Sequence, residues 1–147
     1  MSTHRDVKRA PAYLEDLEHV DERIRKLIRD VNTLSFIKQT TMSCAGYGPN
    51  DDGDDHVPRQ GVYRGWFGVE FVDYMNADVV TYRSAHEFDR DVSAVSGDDV
   101  SARGENGRVY GLSARTETGL AKKWVMVQAI VDKFLRQGSK TRHRYRR

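Results

Sequence analysis

Cysteine is almost absent from this chain of 147 residues, which contains a single one at position 44. A lone cysteine excludes an internal disulfide, and the paired-cysteine spacings of structural zinc sites are missing as well. No apolar run approaches the roughly 18 residues that a membrane-spanning helix needs, and the first residues are charged and polar rather than an apolar secretory signal. We therefore expect a cytoplasmic protein with no membrane partner and no metal site.

The net charge of the whole chain is also small, at +2, but the charges are unevenly distributed along the sequence. Five positive charges lie in the last eight residues, at Lys140, Arg142, Arg144, Arg146 and Arg147. Without these five, the rest of the chain has a formal charge of −3. We expect a flexible N-terminus over 1–11, a single domain over 12–138 and a basic tail over 139–147. The tail is suited to neutralising nucleic-acid phosphates, and the alternative is a solvated end that aids solubility.

Apolar residues with the helical period predict a helix at each end of the domain. From residue 14 onward they are spaced by three and four, at Leu17, Val20, Ile24, Leu27, Val31 and Leu34. This stripe either packs on the domain's own sheet or forms a coiled-coil or dimer interface. The closing helix is predicted over about 120–135, with Thr118 as its N-cap and Gly138 as its C-terminal stop. Its predicted buried stripe consists of Leu120, Trp124, Val127, Val131 and Phe134 or Leu135.

Between these helices the apolar period changes to two, which indicates strands. Strands are predicted over 36–44, 62–72 and 79–82, followed by a helix that starts with a capping box over 84–87. The residues predicted to share one face of the second strand are Tyr63, Phe67, Val69 and Phe71, and those predicted for the inner face of the helix are Phe88, Val92 and Val95. Asn106-Gly107 predicts a hairpin that joins two further strands. The element order is α-β-β-β-α-β-β-α. We expect an α+β fold with a mainly antiparallel sheet, flanked by long N- and C-terminal helices and one short internal helix.

The end of the first strand, Thr40-Thr41-Met42-Ser43-Cys44-Ala45-Gly46, combines hydroxyls, a thiol and a glycine. The candidate ligand-binding residues here are Thr41, Ser43, Cys44, Gly46, Tyr47 and Gly48. Strict alternation places Thr41 and Ser43 on the face opposite to Cys44, so the loop end is the part that offers backbone amides to a phosphate or carboxylate. An ordinary strand-to-loop turn explains the same glycines, and a single cysteine is more often a buried small apolar residue.

Arginines and aromatic residues of the later strands provide further candidate ligand-binding residues, Arg64, Trp66, Arg108 and Tyr110. Guanidinium groups bind phosphates bidentately and aromatic rings stack on bases, so these residues are components of a nucleotide or RNA platform. Cross-strand ion pairs with Glu70 and Asp99 are the alternative use of the arginines.

An acidic loop over residues 50–56 contains four carboxylates and His56. Oxygen ligands of this kind suit Ca²⁺ or Mg²⁺, but the spacing is not that of an EF-hand. Crowded like charges more often indicate a solvated loop, which is the interpretation we prefer.

Residues 40–46 also match the T-T-x-S-C-x-G signature of the TYW3-like tRNA wybutosine methyltransferase family, and Val31-Asn32-Thr33-Leu34 resembles the turn that precedes it. The matching positions are Thr40, Thr41, Ser43, Cys44 and Gly46, whereas the family has arginine where this chain has Tyr47. The resemblance covers about residues 24–47. It implies a SAM-dependent methyl transfer to a hypermodified guanosine in tRNA, with SAM as the cofactor.

Three functions follow from these observations. The first is a small domain that binds a phosphorylated ligand, nucleotide or RNA through the 43–48 loop and the sheet arginines. The second is a SAM-dependent tRNA-modifying enzyme. The third is an interaction module that forms a homo-oligomer through the first helix, without a small ligand. The first predicts that Gly46→Val loses binding but stays folded, and the third that Leu27→Asp gives a folded monomer.

Overall fold

The computed structural model describes residues 20–46 and 62–145, with side chains through Gln137. The described strands are β1 (Ile37–Cys44), β2 (Tyr63–Phe71), β3 (Val100–Arg103) and β4 (Gly107–Ala114). The described helices are α1 (Glu22–Val31), α2 (Val79–Ser96) and α3 (Glu117–Tyr145), with a 3-10 turn at Tyr74–Asn76. The strands form one antiparallel sheet in the order β1-β2-β4-β3. The predicted α+β class with an antiparallel sheet is confirmed.

One face of the sheet packs against the three helices and forms the core. Phe67 and Val69 of β2 and Leu112 of β4 are buried there beside Phe88 of α2 and Val131 of α3. The opposite face, called the outer face below, carries the alternate residues of the same strands. Its described members on β2 and β4 are Arg64, Trp66, Gly68, Glu70, Gly107, Val109, Gly111 and Ser113. None of the helices described in 20–46 and 62–145 is both long and apolar enough to cross a membrane.

Helix α1 is shorter than the predicted N-terminal helix. It begins after Asp21, whose carboxylate accepts a hydrogen bond from the backbone N–H of Arg23, and it ends at Val31. Leu34 belongs to the following turn, where it is buried. The stripe residues of α1, Ile24, Leu27, Ile28 and Val31, lie in the domain's own core. The N-terminal part of the stripe, including Leu14 and Leu17, falls outside the described residues.

Helix α2 replaces a predicted strand. Residues 79–82 form its first turn, because the Asp78 side chain accepts a hydrogen bond from the backbone N–H of Thr81 at 2.7 Å. The strand prediction over 79–82 was therefore wrong, and the predicted start at Ser84 lies inside the helix. With 18 residues, α2 is also longer than the short helix expected. Its predicted inner face is confirmed, since Phe88 and Val92 are buried.

The predicted hairpin is present, with β3 and β4 as its strands. Its turn occupies residues 104–106, where Gly104 has a φ of +72°, and Gly107 already pairs with Arg103 as the first residue of β4. The glycine that makes the turn is therefore Gly104 rather than Gly107.

Helix α3 differs from its prediction at both ends. The Thr116 hydroxyl accepts a hydrogen bond from the backbone N–H of Gly119 at 2.9 Å, so Thr116 rather than Thr118 is the N-cap. Gly138 does not end the helix, which continues to Tyr145. A glycine stops a helix only where it adopts a left-handed conformation, and inside a helix it costs only about 1 kcal/mol. The backbone of Lys140, Arg142 and Arg144 thus belongs to α3.

Candidate functional site

A bulge near the end of β1 changes which side chains reach the outer face. Thr40 pairs with Val69 and Ser43 with Phe67, so Thr41 and Met42 together lie opposite Gly68. A side chain at position 68 would meet the Thr41 hydroxyl. The bulge therefore brings Thr41 to the outer face, where Cys44 also lies as the neighbour of Trp66. The expectation that Thr41 faces away from Cys44 was wrong, whereas Ser43 does face away.

Asn32 connects the end of α1 to β1 through side-chain hydrogen bonds. Its side-chain amide donates hydrogen bonds to the Ile28 carbonyl and to the Thr40 hydroxyl, each at 2.9 Å. Its side-chain oxygen accepts the Thr40 backbone N–H at 3.0 Å. Because Thr40 is fully buried, these bonds satisfy polar groups that water does not reach. Asn32 and Thr40, two of the residues on which the resemblance depends, thus stabilise the contact between α1 and β1.

Asn32→Ala is expected to lower the free energy of unfolding by about 2–3 kcal/mol, because it removes these bonds from a buried strand residue. Urea denaturation followed by circular dichroism measures the loss. Thr33→Ala is the matched control, since the Thr33 hydroxyl bonds only the Asp30 carbonyl at an exposed position. A loss no larger than that of Thr33→Ala would show that the Asn32 bonds contribute nothing specific.

Gly46 lies two residues after the end of β1, with its backbone packed against β2. Its φ is +85°, and a Cβ there would lie 2.5 Å from the Arg64 carbonyl oxygen. In the other direction, a Cβ at Gly65 would lie 2.6 Å from the Ala45 carbonyl oxygen. The same Ala45 oxygen accepts a hydrogen bond from the Trp124 indole N–H at 3.0 Å. Both glycines are therefore required by close backbone contact, and the turn is fixed to β2 and α3.

Arg64 is a cation of the outer face that is held by a bidentate ion pair. Its Nε and Nη2 donate hydrogen bonds to the two oxygens of Asp99, at 2.7 and 2.9 Å. Its guanidinium carbon lies 5.4 Å from the centre of the Trp66 ring, a cation–π distance. The bond to Asp99 raises the pKa of Arg64 and lowers that of Asp99, so both are ionised at neutral pH. The ion pair that was the alternative prediction for Arg64 is present.

Asp99 reaches the outer face from the loop between α2 and β3. Its carbonyl oxygen accepts hydrogen bonds from the Gly111 backbone N–H at 2.7 Å and from the Ser96 hydroxyl at 2.9 Å. Its carboxylate fills the space that a Cβ at Gly111 would occupy. Sequence reasoning missed Ser96 and Gly111, for which the one available signal was a glycine inside a strand.

Arg108 and Tyr110 lie on the helix-covered face, apart from Arg64 and Trp66. Tyr110 is fully buried, and its hydroxyl donates to the Asp89 carboxylate at 2.7 Å. Burial raises the pKa of Tyr110 far above its ordinary value, so it is a neutral donor. Arg108 Nε lies 3.7 Å from the same carboxylate. The predicted platform is therefore divided between the two faces of the sheet, and only Arg64 and Trp66 share the outer face.

Several predicted site residues are outside the part that the structure describes. These are Tyr47, Gly48, the acidic loop 50–56, Arg146 and Arg147, together with the side chains of Lys140, Arg142 and Arg144. Among the residues that are described, no group of three or more histidine, cysteine or acidic side chains is placed to hold a metal ion.

The chain was compared with protein-family models, curated proteins and solved structures. No family model, curated protein or solved structure matches this chain. The resemblance around Thr40–Gly46 therefore stays a prediction that depends on those residues alone.

Proposed function

We propose that this domain binds a phosphorylated ligand, nucleotide or RNA at the outer face, where β1 ends. The observation that supports this most directly is the orientation of Arg64 by Asp99 above the Trp66 ring. An oriented guanidinium beside an aromatic ring offers both a phosphate-binding group and a surface of the kind that contacts bases.

Arg64 keeps hydrogen-bonding capacity after pairing with Asp99. A guanidinium has five N–H donors, and the two bonds to Asp99 use Nε and Nη2 but not Nη1. The Arg64 side chain is 47% exposed. Its free edge can therefore reach a ligand without breaking the pair.

Further groups along the outer face suit a strand of nucleic acid. Thr41 presents an exposed hydroxyl on the same face. Arg103 of β3 pairs with Gly107, which in turn pairs with Glu70, so this exposed cation belongs to the outer face as well. In the proposal, the basic residues at 140–147 add a sequence-independent attraction to phosphates, which weakens as salt is raised.

Arg64→Ala is expected to weaken the binding of a fluorescein-labelled single-stranded RNA about tenfold or more, because a charge-assisted hydrogen bond is lost. Fluorescence anisotropy at low salt measures the affinity. The matched control is Arg90→Ala, which removes the same charge from an exposed position on α2, on the other side of the sheet. Equal losses in the two variants, or none in Arg64→Ala, would remove Arg64 from the site.

The resemblance to TYW3-like proteins would add SAM-dependent methyl transfer, for which the described matching residues offer few groups that could contact a cofactor. Of the five matching positions, Thr40 is buried and bonded to Asn32, and Gly46 is packed against Arg64. Only Thr41 and Cys44 of the five lie on the outer face. Isothermal titration with SAM tests the methyltransferase alternative, which micromolar binding would favour.

A further inference from the structure

Asp99 is held in place by contacts that do not involve Arg64. Its backbone carbonyl accepts hydrogen bonds from Gly111 and Ser96, and its carboxylate lies against Gly111 of β4. The Ser96 hydroxyl also lies 2.5 Å from the Gly111 carbonyl oxygen, so the two carbonyls share its single proton. The carboxylate is therefore a fixed negative charge, and any ligand that binds Arg64 must approach it.

This fixed charge has a consequence for the ligand. Asp99 occupies the Nε–Nη2 edge of Arg64, so an anion has to use the Nη1 end of the same guanidinium. There it lies across the guanidinium from the Asp99 carboxylate, nearer than the roughly 8–10 Å over which salt screens charges, and the repulsion grows in proportion to the charge of the anion. A phosphodiester carries one negative charge, whereas a terminal phosphate carries about −1.5 to −2 at neutral pH.

We propose that Asp99 makes the outer-face site selective for the phosphodiester groups of single-stranded RNA over the terminal phosphates of free nucleotides. This inference rests on the proposed function, and it narrows that function to one ligand class. Arg64 supplies the attraction. Asp99 orients the guanidinium and at the same time penalises a second negative charge on the phosphate group that Arg64 contacts.

The test compares two probes, hexaadenylate with a 5′-hydroxyl end and adenosine 5′-monophosphate, on the full chain at pH 7.5. Asp99→Asn removes the charge, keeps the size of the side chain and leaves its backbone bonds intact. Because the repulsion is about twice as large for the dianion, we expect the monophosphate to bind roughly tenfold more tightly and the hexamer roughly threefold. The matched control is Asp98→Asn, which changes the net charge equally at the exposed neighbouring residue.

Each result decides the inference. A larger gain for the monophosphate than for the hexamer in Asp99→Asn, and equal small changes in Asp98→Asn, support selection by Asp99. Equal gains for both probes, or weaker binding of the monophosphate, overturn it and leave Asp99 as a positioning residue only. Arg64→Ala distinguishes failure of the selectivity inference from failure of the proposed function. If it leaves hexamer binding unchanged, or if the native protein binds neither probe, the proposed function itself fails.

Discussion

Gly46→Val is expected to lower the free energy of unfolding by about 3 kcal/mol or more, and to impair binding only as a result of that loss. A residue with a Cβ costs about 1–2 kcal/mol in the left-handed conformation that Gly46 adopts, and forcing atoms into a packed site costs about 1–3 kcal/mol. Here the obstacle is the backbone of Arg64, which a side-chain rotation cannot relieve. Urea denaturation and the thermal midpoint measure the change.

Gly104→Ala separates the cost of the left-handed conformation from the cost of the steric contact. Gly104 has a φ of +72°, but a Cβ there would meet nothing within 4 Å. It should therefore lose only the conformational part, about 1–2 kcal/mol. If Gly46→Val were no less stable than Gly104→Ala, the contact between the β1 end and β2 would not be as close as described. The sequence-based expectation that Gly46→Val stays folded is replaced by this one.

Leu27→Asp is expected to prevent folding rather than to produce a folded monomer. Leu27 is 3% exposed in the core between α1 and its neighbours. The substitution loses about 1.5–3 kcal/mol of apolar burial and adds an unpaired buried charge, which costs several kcal/mol more. The sum is comparable to the total stability of a small domain, about 5–15 kcal/mol. Loss of the helical circular dichroism signal and of a cooperative thermal transition are the measurements.

The control for Leu27 is Arg29→Asp, which places the same residue on the exposed side of α1. It should remain folded and lose no more than about 1 kcal/mol through its interaction with the helix C-terminus. A folded Leu27→Asp variant with a lower mass in light scattering than the native protein would contradict our prediction. That result would revive the interaction module, because it would mean that the apolar stripe of α1 serves a second chain.

Substitutions at four residues separate structure from binding at the candidate site. Gly46 and Asn32 are needed for the shape of the β1 end, so their variants should lose stability and binding together. The side chains of Arg64 and Asp99 are partly exposed on the outer face, so their variants should change binding while the thermal midpoint stays nearly constant. A ligand screen on this protein is therefore best interpreted from substitutions at Arg64 and Asp99.

The sequence by itself determined the elements whose side chains repeat with a clear period. In β2 the apolar positions alternate, and Phe67, Val69 and Phe71 are buried as predicted. In α3 the predicted stripe is equally present, with Leu120, Trp124, Val127 and Val131 buried. Both follow from local burial, because a strand or helix that buries one face must repeat apolar residues with its own period.

The tertiary structure alone decided which of the candidate residues meet. The bulge that turns Thr41 to the outer face depends on pairing with β2, and the placement of Asp99 over Gly111 depends on how the α2–β3 loop closes. Likewise, Arg64 and Tyr110 were separated by the register of β2 with β4. Periodicity cannot encode these contacts, because each joins residues that are distant in the sequence and each is fixed by backbone geometry rather than by hydrophobicity.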